Sequence, residues 1–381
     1  MLINRRSVVL ASVAACAVTA SHVARAQAVK GTRKLVLGQS VPLTGAADQI
    51  GLAYLNGAKM FFDAANAKAG IAGYRIELRS LDDGYNAAKA AANAKQLIEE
   101  GVDALFGFVG TASCDAAFAA SKASGIVFFA PFAASDVLHS ADAGTAFHIR
   151  PALSDEAFKI ARHCATLNQD RIAVSEDDAM GKAGLAAINQ ALVDLKRPPV
   201  VASALSAVNS DKVDAAVEAL LKANPQAIIQ VSLFNSAAAF IRKARKAAYG
   251  GQFLTFSVVG IDPLFTLLGK EIGGIVISQV MPSPRTLGMP LVKEYLDVLN
   301  RTDQIPSYES MEGYAAARAF AEGVRRSAQT GKPDRAGLQK AFESMTDFDM
   351  NGLRINLRPK KYESVRLVDL VTITPEGKVV R

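Results

Sequence analysis

From Lys34 onward, short runs of aliphatic and β-branched residues alternate with longer Ala-rich segments of helical period, the pattern of parallel sheets covered by helices. The short runs predict strands at 35–40, 75–81, 104–109, 126–130, 171–175, 200–204, 227–231, 253–257 and 274–279. Between them the segments are amphipathic. In 55–69, Leu55, Ala58, Phe62 and Ala65 recur at helical intervals while Lys59, Asp63 and Lys68 fall elsewhere. Gly70, Gly101, Gly125 and Gly250 follow such segments, where a left-handed cap residue is favoured. Near residue 280 the alternation breaks. Pro282, Pro284 and Pro290 introduce a helix-rich stretch through Tyr295, Tyr314 and Phe342, followed by a last strand at 365–373. A late helical block with a returning strand predicts a chain that crosses back between two bodies instead of starting a third.

The first residues decide how much of the chain enters that fold. Arg5 and Arg6, an uncharged stretch at 8–20 and the small-residue site Ala24-Arg25-Ala26 predict a signal peptide over 1–26 and a periplasmic protein. The paired arginines leave general and twin-arginine export both open. Val13-Ala14-Ala15-Cys16 leaves open a lipid-anchored form. Cleavage takes the 381 residues to 355, more than one hydrophobic core usually serves, so two lobes are expected. Loss of Arg5, Arg6 and Arg25 lowers the formal net charge from +7 to +4. With no basic stripe among aromatics, no nucleic-acid partner is expected. The longest later apolar runs, such as 272–280, fall short of the ~18 residues a membrane span needs. Cys114 and Cys164 alone remain, too few for a disulfide scaffold, and are expected as small buried residues.

In open parallel sheets ligands bind beyond the carboxyl ends of the strands, where helix N-termini present free N–H groups. Two turns suit a carboxylate there: Gly110-Thr111-Ala112-Ser113, and Pro131-Phe132-Ala133-Ala134-Ser135-Asp136. Thr111, Ser113 and Ser135 can supply hydroxyls, and ordinary N-capping is the alternative role for the serines. The second half offers turns with Asp178 and Met180, with Phe234, and with Asp262. Asp262 could meet an ammonium group, Met180 and Phe234 could form apolar walls, and helix capping or core packing are the alternatives. Catalytic patterns are missing. A phosphate loop fails at Gly181-Lys182, with Glu176 and Ala183 at the positions of the first glycine and the hydroxyl. His139, His148 and His163 have no zinc-site spacing, so neither metal, cofactor nor enzymatic activity is expected.

In order, these turns resemble the type I periplasmic binding proteins of the leucine/isoleucine/valine-binding group over nearly the whole mature chain. The resemblance runs through Pro42-Leu43-Thr44-Gly45, Asn56-Gly57-Ala58 with Asn66, Asp82-Asp83, the stretch 107–113 and Ala130-Pro131-Phe132. It continues through Met180-Gly181-Lys182-Ala183-Gly184, Gly260-Ile261-Asp262 and Glu312-Gly313-Tyr314-Ala315-Ala316-Ala317-Arg318. It implies an α/β fold of two doubly wound parallel-sheet lobes joined by three hinge crossings, one lobe being 27–150 plus 280–357 and the other 151–279 plus 358–381. It also implies a monomer that closes on a small-molecule ligand and docks on an ABC permease and its ATPase. Ser113, Ala133, Ala134 and Ser135 match the holders of the ligand carboxylate, and Asp262 the acid that meets an amino group. Ile50, Met180 and Phe234 match positions where aromatic residues often line the pocket, Tyr308 is a further residue that could reach it, and Phe132, Met180 and Phe234 would wall a pocket for an organic acid. Ile50 and Met180 stand where amino-acid binders often carry tyrosine. Two ligand classes therefore stay open, a branched or hydrophobic amino acid and an organic acid without an amino group, as does a sensory role with a signalling partner.

Overall fold

The computed structural model describes residues 33–45, 47–133, 135–140, 142–177, 179–357 and 367–380. The predicted signal peptide and Cys16 lie outside the described residues, as do the site candidates Ala134 and Asp178. A first sheet has the order β2-β1-β3-β4-β5, from β1 (Arg33–Val41), β2 (Tyr74–Asp82), β3 (Ala104–Phe106), β4 (Phe128–Phe129) and β5 (Ala146–Phe147), every pair parallel. The helices between them are α1 (Asp48–Asn66), α2 (Ala87–Glu99) and α3 (Thr111–Ser124). Period-two alternation places the sheet between two apolar layers. Phe106 and Phe129 face a core with Phe62 of α1, while Leu105 and Phe128 face Leu97 of α2 and Phe118 of α3.

The second sheet follows α4 (Leu153–Thr166). It is built from β6 (Ile172–Glu176), β7 (Ala202–Leu205), β8 (Ala227–Val231), β9 (Gln252–Thr255) and β10 (Val276–Gln279), which pair parallel with one another. The intervening helices are α5 (Ala179–Asp194), α6 (Asp214–Lys222), α7 (Phe234–Lys246) and α8 (Ile261–Leu268). The chain then returns to the first body. There α9 (Pro290–Leu299) and α10 (Tyr308–Thr330) pack on α1, and α11 (Arg335–Glu343) packs on α10. After a hairpin of β11 (Phe348–Met350) and β12 (Leu353–Ile355), β13 (Asp369–Ile373) rejoins the second sheet antiparallel to β10, and β14 (Val379–Val380) extends its edge. The fold is therefore α/β with two doubly wound sheets, as expected.

Details differ from the sequence expectation. The predicted strand at 126–130 shrinks to two residues, and β5, the hairpin and β14 were not expected at all. Such short pieces carry too few alternations to register as a period. Gly125 caps α3 in the left-handed region at φ 64°, but at the end of α7 Ala248 takes that conformation, φ 60°, in place of the expected Gly250. Cys114 and Cys164 are free and buried.

Candidate ligand-binding site

Beyond the carboxyl ends of both sheets, α3 and α5 touch and close a cleft. Its cavity encloses about 270 Å³, open solvent at its mouth included, between Ala47, Ile50, Tyr85, Val109, Gly110, Thr111 and Phe132 on one side and Met180, Leu233 and Val258 on the other. The first wall follows from the turns after β1, β2, β3 and β4. Gly110 is the N-cap of α3 at φ 101°, and a Cβ there would meet the Tyr85 ring at 2.7 Å, so both conformation and space demand glycine. Beside it the Gly110 N–H donates to the Phe132 carbonyl, 3.0 Å, and the Phe132 N–H to the Phe108 carbonyl, 2.7 Å. The turn 110–113 and the segment 131–133 therefore share one edge of the sheet.

Asp82 fixes the loops beneath. Its carboxylate accepts the Leu43, Thr44 and Gly84 N–H groups at 2.8, 3.2 and 2.9 Å and the Thr44 hydroxyl at 2.6 Å. Partial burial opposes ionisation there, but those four donors outweigh it and hold the carboxyl at about 2. The Pro42-Leu43-Thr44-Gly45 and Asp82-Asp83 motifs thus support the site from below. On the opposite wall Asp177 accepts the Leu233 N–H at 3.1 Å and places that side chain over the cavity.

The structure gathers Ile50, Thr111, Phe132 and Met180 into the cavity lining. Ser113, Ala133, Ser135 and Phe234 are buried close to the cleft but are not among its lining residues. One expectation is corrected: among the described residues of 131–135 no helix begins. The Ser135 hydroxyl bonds Asp115, its carbonyl meets His139 Nδ1 at 2.8 Å, and a turn follows at 136–139. Capping by Ser113 is corrected too, because the N-cap is Gly110 and Ser113 lies inside the first turn. Asp262 pairs with Arg285 at 3.0 Å on a partly exposed surface. Gly110 belongs to the turn that the sequence marks as a carboxylate seat. Val109 precedes that turn, Tyr85 follows the Asp82-Asp83 pair and Leu233 precedes Phe234, whereas nothing local in the sequence marks Ala47 or Val258.

Phe132 also walls a second cavity of about 200 Å³, open solvent at its mouth included, bounded by Arg150, Ser257, Gln279, Val280, Met281, Tyr308, Glu309 and Glu312. Arg150 is fully buried, with its guanidinium carbon 4.4 Å from the Phe132 ring centre. Its Nη2 donates to Ser257 Oγ at 2.7 Å and lies 3.8 Å from a Glu156 carboxylate oxygen, while its Nε lies 3.7 Å from one of Glu312. Glu156 accepts the Ser257 N–H at 2.9 Å, the Ser257 hydroxyl at 3.0 Å and the Ser278 hydroxyl at 2.5 Å. Burial pushes the Glu312 carboxyl up to about 7, against the opposing pull of Arg150.

That shift sets a sign. A native carboxyl near 7 against an ordinary 4.5 binds its proton more tightly folded than unfolded. Its stabilisation is complete below about 4.5 and is lost as pH rises through about 7. Glu312→Gln is expected to remove this loss, on the order of 2 kcal/mol. Thermal melting at pH 5 and pH 8 checks it, since the drop in Tm between the two should shrink in the variant.

Two α/β bodies around a closed cleft define a small-molecule binding protein. A family described as "Periplasmic binding protein" matches residues 34–378, and the chain belongs to it. It is similar to a leucine-, isoleucine-, valine-, threonine- and alanine-binding protein of Pseudomonas aeruginosa, 23% identical over 309 residues, 80% of this chain and 81% of the relative. Among solved structures it is similar to a possible leucine/isoleucine/valine-binding protein of Rhodopirellula baltica, 27% identical with a TM-score of 0.86, covering 92% of this chain and 97% of the other. A substrate-binding periplasmic protein of Ralstonia solanacearum is 26% identical with a TM-score of 0.84, covering 91% and 99%. Among the described residues no helix is long and apolar enough to cross a membrane, and no group of three or more His, Cys, Asp or Glu could hold a metal ion.

Proposed function

We propose that this protein is the extracytoplasmic substrate-binding component of an ABC importer, holding a small, largely apolar carboxylic acid between two lobes that close on it. The observation that carries the ligand class is the lining. Ala47, Ile50, Val109, Phe132, Met180, Leu233 and Val258 are apolar, and none of the described residues lining the cavity is charged. An ammonium group buried there would lose its hydration without a countercharge, whereas a carboxylate at the mouth can use the first-turn N–H groups of α3. The lobes proposed to move are 27–150 plus 280–357 and 151–279 plus 358–381, with the closed form docking on a permease and its ATPase. The family and the leucine/isoleucine/valine-binding relatives support this role.

The test is calorimetry with isovalerate and L-leucine on the wild type and on Asp262→Ala. Asp262 belongs to a solvent-screened pair with Arg285, so its loss should cost under ~1 kcal/mol of stability and leave isovalerate affinity within about twofold. Tighter binding of L-leucine, weakened about thirtyfold by Asp262→Ala, would instead restore the amino-acid assignment, because a charged hydrogen bond contributes about 2 kcal/mol.

A further inference from the structure

We propose that Arg150 is a positioning residue that ties the ligand-cavity wall at Phe132 to closure of the two lobes. This rests on the receptor reading above and adds the part that links the cavity to the motion. Arg150 lies on the connection from β5 to α4, where the chain passes from the first sheet to the second. Its partners come from both bodies. Phe132 follows β4 of the first sheet, and Glu312 stands on α10, which packs on α1. Ser257 follows β9 of the second sheet, and Glu156 stands on α4, which packs on β10 and β13.

The Phe132 side chain lines both cavities. It borders the ligand cleft, and its ring also meets the guanidinium. Tyr54 sets the ring edge-on at 5.6 Å and is itself fixed by its hydroxyl bond to the Ala130 carbonyl, 2.7 Å. Phe132 is therefore held from the first body by Tyr54 and linked to the second through Arg150 and Ser257. A rotation that opens the cleft must either stretch the Arg150–Ser257 bond or draw the guanidinium off the ring. Both contacts are made together only when the lobes are closed, so a molecule that orders Phe132 favours closure.

Replacing Arg150 itself would strand buried carboxylates, so the test uses its two partners. In protein spanning residues 27–381, spin labels are placed at Lys122→Cys on α3 and Gln190→Cys on α5, both exposed, while native Cys114 and Cys164 are buried. Distance distributions are measured by electron-spin resonance without addition and with isovalerate or L-leucine. Ser257→Ala, which removes one hydrogen bond to a charged group, and Phe132→Leu, which removes the ring beneath the guanidinium, should each lower the closed-to-open ratio by roughly tenfold. The double variant should fall little further than either single one, since both cut the same link. Unchanged ratios in the single variants, or effects that multiply, would overturn the link while leaving the receptor reading intact if a probe still shifts the distribution. One narrow distance that neither variant nor probe moves would overturn both.

Discussion

Arg150→Met is expected to lower folding stability by about 3–5 kcal/mol, the cost of removing one partner from a buried ion cluster. The guanidinium is fully buried and lies between Glu156 and Glu312, so without it two carboxylates lose their nearest positive charge. The two are not equally exposed to that loss. Glu156 keeps the Ser257 N–H and hydroxyl and the Ser278 hydroxyl. Glu312 has its charge contact with Arg150 at 3.7 Å, and its carboxyl is already pushed up to about 7 by burial. Most of the penalty should therefore fall on Glu312. Arg150→Met combined with Glu312→Gln is expected to recover at least half of the loss, because a neutral amide has no buried charge to compensate. Urea unfolding of the two single variants and the double variant at pH 8 measures this. Additive losses would mean that the two groups do not interact.

The second large effect concerns the crossing of α1 and α10. A Cβ at Gly313 would collide with the Tyr54 carbonyl oxygen, and one at Gly57 with the Ser310 carbonyl oxygen. Each helix thus presses a glycine against the other's backbone, and backbone cannot rotate out of the way as a side chain can. Gly313→Ala is expected to destabilise by about 3 kcal/mol, the upper end of the usual cost of overpacking, even though alanine adds ~1 kcal/mol of helix propensity. Gly144→Ala is the control, since nothing lies within 4 Å of its added Cβ, and it should stay within about 0.5 kcal/mol. Thermal denaturation of the three proteins decides the matter.

The same positions show which parts of the molecule could be read in advance. The long strands β1 and β2 and the long helices were legible, because eight or more residues repeat a period often enough to be counted. The turn 110–113 was legible because glycine and small hydroxyl residues after a strand have few other uses. Phe132 and Met180 were expected as cavity walls, and both line the cavity. Ser135 was expected to begin a helix, but its hydroxyl is taken by Asp115, a bond between residues with no recognisable spacing. Asp262 likewise finds Arg285, which sequence distance alone does not suggest as a partner.

By itself the sequence determined the α/β alternation, the return of the chain near Pro282 and the small residues at the cleft edge, all properties carried by neighbours along the chain. Only the tertiary structure decided that Arg150 meets Phe132, Ser257, Glu156 and Glu312, and that the cavity is walled by apolar groups from both bodies. The reason is physical. Backbone period and turn chemistry are short-range and leave a local trace, whereas the partner of a buried charge is set by how whole elements pack, and any acidic residue brought within reach would have served.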